Sequence, residues 1–193
     1  MEEKRLVSSH KSVYTVGYLR SVSWHMLERA KVTDKGKNLK IMASIVFSAF
    51  TLEAYLNHLG EKLIHYWITI EKNLSPYQKL EVISTTLNLR IDNGQRPFQS
   101  FREIFRFRNF LAHGRTEKLT DDSVQKLSEG ENPELPKTEW QEALSIKYAQ
   151  RYLDDTLEMI NVLHDESGLD FNPIFTPEIG GWTSSIFEEQ EDN

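Results

Sequence analysis

The stretch RFRNFLAHGR, residues 106–115, places Arg106, Arg108, Asn109, His113 and Arg115 within three turns of chain. A guanidinium presents a rigid planar fork that matches the oxygens of a phosphate. An imidazole is the side chain best suited to taking up and releasing a proton near neutral pH. Brought to one point, the two can grip a sugar–phosphate linkage and move the protons that its cleavage requires. The plainer alternative is an ordinary helix end, in which His113 caps carbonyls and Gly114 supplies a left-handed turn.

Spacing predicts that a helix over 97–113 carries these residues, opened by Pro97 and closed at Gly114. On a helical wheel Phe98, Phe101, Ile104, Phe105, Phe107 and Leu111 fill one half, and Arg102, Arg106, Asn109 and His113 the other. Arg108 breaks the pattern by falling inside the apolar arc, between Ile104 and Phe101. The long helix expected over 38–68 has a matching anomaly. Ile41, Ile45, Ala49, Leu52, Leu56 and Leu59 line its apolar arc, while Glu53 sits at the edge of that arc with Asn57 one turn on. A lone buried charge is costly, so each should have a partner. The economical expectation is that Glu53 and Arg108 face each other across the bundle. Arg108 and His113 lie about 140° apart on an ideal helix. Convergence therefore needs the helix to unwind at His113, or a second subunit.

Helical periodicity extends through most of the chain. It predicts further helices over 9–30, from Ser75-Pro76 to about 88, and over 142–164 with an apolar stripe of Tyr148, Tyr152, Leu153, Leu157, Ile160 and Leu163. Asp92-Asn93-Gly94 marks a turn, and 117–139 reads as a long loop with a short helical turn. No strand is convincing. The expected fold class is all-α, an antiparallel bundle of about five helices over 1–166. An irregular acidic tail over 167–193 packs its aromatic residues, Phe187 included, on the body or on a partner and frays at its last six residues.

Charge is divided unevenly. Residues 90–118 hold 7 Lys/Arg against 3 Asp/Glu, whereas residues 119–193 hold 4 against 18. A basic region followed by an acidic one leaves room for a local phosphate site but argues against a general nucleic-acid binder. With no cysteine there is neither a disulfide framework nor thiolate chemistry. The start of the chain is charged and does not read as a signal peptide. The apolar run 41–52, at twelve residues, is too short to span a bilayer. The expectation is a cytoplasmic protein with no membrane association.

Other chemistry has weaker support. His58, Glu61 and His65 could share a helix face as metal ligands, but a solvated face is the commoner outcome and no HExxH motif accompanies them. Gly36-Lys37 lacks the rest of a phosphate-binding loop. No nucleophile elbow occurs, and the four tryptophans read as core rather than as stacking platforms.

Arg108 to Gly114 resembles the R-polar-x-x-x-H signature of the HEPN superfamily, small all-α domains many of which are metal-independent endoribonucleases. The segment holding Glu53 and Asn57 is similar to the second-helix pattern of that group, and the likeness spans roughly residues 10–165. What the resemblance implies is a homodimer whose two motifs meet in a composite cleft and act on RNA without metal or cofactor. Arg108 would polarise the scissile phosphate. His113 would act as general base or acid, and Asn109 would orient it or contact phosphate. Glu53 would steer Arg108 with Asn57 in support, and Arg102, Arg106 and Arg115 would bind flanking phosphates. Toxin–antitoxin, phage-defence or stress-response settings follow from the same likeness, with an antitoxin or defence-system protein as partner. One departure is Arg115, which stands where some HEPN toxins carry a modifiable tyrosine. Because several HEPN proteins are not nucleases, a non-catalytic helical dimer serving as an interaction module is the alternative.

Overall fold

A computed structural model describes residues 5–128 and 130–186. In chain order these form β1 (Arg5–Val13), α1 (Thr15–Val32), α2 (Lys37–Leu63), α3 (Trp67–Ile70), α4 (Pro76–Thr86), α5 (Phe98–Ala112), α6 (Glu139–Glu142), α7 (Ile146–Ser167) and β2 (Glu178–Ile186), with short 3-10 turns at Glu71–Asn73 and Pro173–Phe175. The described part is mostly helical, with one small sheet.

The second helix is the axis of the body. It packs against α1, α4, α5 and α7, burying Ile41, Ile45, Ala49, Leu52, Leu56 and Leu59 as the wheel predicts. By length and composition α2 is apolar enough to cross a membrane, more so than the run 41–52 alone suggests, but half of its most apolar window is buried among the other helices. Small side chains let α1 come close: Ser23 Oγ donates to the Ser44 carbonyl at 2.9 Å and pairs with Ser48 Oγ at 2.9 Å. Near its end Gly60 is obligatory, because a Cβ there would lie 2.1 Å from the fully buried ring of Trp67.

The caps follow the sequence. Ser75 and Gln78 form a capping box with Pro76 at the first helical position of α4. The start of α5 is pinned to α7 by the completely buried Asp155, which accepts from Arg96 Nε at 3.0 Å and from Ser100 Oγ. Helix α5 then lays Phe98, Phe101, Ile104, Phe105 and Phe107 into the core.

Three expectations need correction. The all-α reading misses a nine-residue antiparallel ribbon in which Arg5 pairs with Ile186 and Val13 with Glu178. Residues 9–13 therefore belong to a strand, α1 starts at Thr15, and the stretch after Ser167 is not irregular throughout. The long helix ends at Leu63, where the chain turns through Ile64 before α3, and the helix expected over 142–164 starts only at Ile146 as α7, with α6 a separate short turn before it. The tryptophans divide: Trp67 is core, whereas Trp24 and Trp182 are exposed. Phe187 and the last six residues lie outside the described residues.

Candidate functional site

The expected pair forms. Arg108 Nη2 donates to Glu53 Oε2 at 2.8 Å, joining α5 to α2. The carboxylate's other oxygen accepts from Lys79 Nζ of α4 at 3.1 Å. Lys79 is only 5% exposed, while Glu53 and Arg108 are partly buried. One carboxylate thus serves two cations, and the cluster carries an excess positive charge. Arg108 also lies over the Phe105 ring, 5.6 Å from its centroid, and its Nε is buried without a partner. Such a guanidinium is fixed in place yet keeps capacity to meet an anion.

Arg108 Nη1 donates to Asn109 Oδ1 at 2.9 Å, and Asn109 leads round to the opposite side of α5. There Asn109, His113, Arg102, Arg106 and Arg115 line one groove of about 570 Å³ together with Phe110, Tyr77 and Glu117. The phenol of Tyr77 reaches the Arg102 carbonyl at 3.4 Å, and burial pushes its ionisation up. The groove is open and carries three guanidiniums, so its field favours phosphate.

Helix α5 ends at Ala112. His113 is its C-cap at φ −112°, and its backbone N–H donates to the Asn109 carbonyl at 3.0 Å. Gly114 is not among the glycines at positive φ, so no left-handed turn closes the helix as the plainer alternative required. The exposed imidazole leans into the groove from a backbone that has left helical geometry.

Not every expected residue arrives. Arg108 does not line the groove. Within one chain it is linked to His113 through Asn109, so the Arg108 guanidinium and the His113 imidazole do not line one hollow. Asn57 lines a different hollow, of about 380 Å³, with Tyr14, His58, Glu61 and Lys62, and its Oδ1 is buried without a partner. Burial, then Lys62 and His164, holds the His58 imidazole below its ordinary pKa. Among the described residues no group of three or more His, Cys, Asp or Glu side chains is placed to hold a metal ion, His58, Glu61 and His65 included.

Two participants escaped the sequence reading. Lys79 stands four residues before Ile83 and next to Leu80 on the buried face of α4, the same misplaced charge that marks Arg108. Glu139, from the acidic region, pairs with Arg106 Nη2 at 2.7 Å. Nothing in local periodicity links those two positions. No family model, curated protein or solved structure matches this chain.

Proposed function

We propose that the chain is a metal-independent endoribonuclease of the HEPN type, cytoplasmic and active as a symmetric dimer, in a defence or toxin–antitoxin role. One observation carries this reading: His113, Asn109 and three arginines share a groove, and the Asn109 side chain accepts from Arg108, which Glu53 anchors on the other side of α5.

In the proposed reaction the ribose 2′-hydroxyl loses its proton to one His113. Its oxygen bonds to phosphorus, and the bond from phosphorus to the 5′-oxygen breaks. The leaving oxygen takes a proton from the second subunit's imidazole. The products are a 2′,3′-cyclic phosphate and a 5′-hydroxyl end. Arg108 neutralises the charge that builds on the phosphoryl oxygens, while Arg102, Arg106 and Arg115 hold neighbouring phosphates. Dimerisation supplies the second imidazole and an Arg108 approaching from the partner.

A second reading has its own support. Arg108 is held by Glu53 and Asn109 on the far side of α5, which also suits a non-catalytic helical dimer. Incubation with RNA in excess EDTA separates the two, comparing the wild type with Arg108→Ala and His113→Ala. Cleavage that resists EDTA, leaves cyclic-phosphate ends and disappears in both variants is the expected result. Intact RNA with dimeric, folded wild type overturns the nuclease reading in favour of the module.

A further inference from the structure

Beside the groove lies a second hollow of about 310 Å³, and the two share Arg106 and Phe110. These side chains sit one turn apart on α5, with the guanidinium 5.7 Å from the ring centroid, and form the ridge between the hollows. The second hollow is walled by Phe107, Trp140 and Tyr148. Three carboxylates, from Glu103, Glu139 and Glu142, stand around it.

Two of those carboxylates are already matched by cations. Glu103 accepts from Arg151 and from the Tyr152 hydroxyl at 2.9 Å, and Arg151 lies over the Tyr148 and Tyr152 rings at 5.0 and 4.9 Å. Glu139 is held by Arg106. The carboxylate of Glu142 is exposed and, among the described residues, has no hydrogen-bond or ion-pair partner. The hollow is therefore aromatic, carries one net negative charge, and is left with one free acceptor. A phosphate would meet repulsion there. A flat, uncharged ring that donates hydrogen bonds fits both features.

We propose that this hollow is a nucleobase pocket that selects guanine next to the phosphate held in the groove; the proposal rests on the RNA-cleaving reading above. Single-stranded RNA is read by stacking splayed bases on aromatic side chains and bonding their Watson–Crick edges. Guanine directs N1–H and N2–H in parallel, which two oxygens of one carboxylate accept together. Adenine and cytosine set an acceptor beside their donor, and uracil flanks its single N–H with two carbonyls. Trp140 and Tyr148 supply the stacking surface, and Phe110 guides the chain over the ridge. Glu142 stands on α6 in the acidic region, so this segment contributes specificity to the basic groove beside it.

The test uses the full chain and two 2′-O-methyl decamers, which cannot be cleaved because the nucleophile is capped. One is all-uridine and the other carries a single central guanosine. The guanosine decamer is expected to bind about tenfold tighter. Glu142→Gln brings it down to the level of the all-uridine decamer, whereas Glu158→Gln, which removes an exposed carboxylate outside the hollow, preserves the difference. Equal binding of the two decamers overturns the pocket, as does a guanosine advantage that survives Glu142→Gln. Cleavage of unmodified RNA by the same preparation in EDTA reports separately on the nuclease reading. Binding of an arginine-rich peptide that depends on Glu142, with neither decamer bound, overturns the proposal and assigns the hollow to a cationic protein segment.

Discussion

The two sides of α5 use the same residue type in opposite ways. On the inner side Arg108 meets Glu53, which also meets the buried Lys79. On the outer side Arg102, Arg106, Arg115 and His113 stand around an open groove. The inner charges are expensive to expose or to leave unpaired, so they are tied to the stability of the fold. The outer ones are solvated, so their removal changes the fold little and changes what the surface can bind. Stability and activity should therefore separate at the outer residues, whereas Arg108, anchored on the inner side, is tied to both.

The sharpest way to break that separation is His113→Ala. Cleavage should fall about 10²–10⁴-fold, the usual contribution of a positioned acid or base. Its urea midpoint should stay at the wild-type value, and a large loss of stability would place the imidazole on the structural side instead. Glu53→Ala should do the reverse and lower unfolding free energy by about 3–5 kcal/mol in urea titration, because it strands Lys79 and Arg108. Replacing Glu53, Lys79 and Arg108 together by Leu, Met and Leu should recover most of that loss while leaving the protein inactive.

Smaller effects sharpen the picture. Arg102→Ala and Arg115→Ala should each weaken RNA binding and reduce the slope of log affinity against log salt by about 1, measured by titration over a range of salt. Arg106→Ala tests both hollows, but as half of an exposed pair with Glu139 it should cost less than about 1 kcal/mol of stability. The smallest effect is a pH dependence away from α5. Burial disfavours the charged form of His58 in the folded chain and holds its pKa below the unfolded value of about 6.5. The unfolded state therefore binds the proton more readily. The stability contributed by His58 is fully present above that unfolded value and is lost as pH falls through the folded one. Thermal unfolding at pH 7.5 and 5.5 should show a decline on acidification that His58→Gln reduces.

Much of the helical body is legible in the chain. Ser75-Pro76 fixes the start of α4, because serine and proline satisfy a helix end locally. The apolar stripe of α5 left Arg108 conspicuous, and the penalty for an unpaired buried charge pointed to Glu53. Lys79 carried the same signal on α4, and applying the same test there would have found it. The ribbon left no comparable trace. In β1 all nine residues are exposed, so no alternation of buried and exposed positions marks it, and its partner strand lies at the other end of the described chain. Asn57 shows the limit of wheel geometry: it follows Glu53 by one turn, yet α1 and the end of β1 close around it and draw it into another hollow.

Periodicity and capping chemistry act over a few residues, so the amino-acid sequence alone determined where most helices run, which faces they bury and which charges need partners. Tertiary packing decided which partner each charge received, that Asn109 links Arg108 to the groove while Asn57 does not reach it, that an acidic segment supplies Glu139 and Glu142 beside a basic helix, and that two distant segments pair as strands. Those outcomes depend on groups far apart in the chain, whose proximity is set by the packing of α2 against its neighbours and by no local preference.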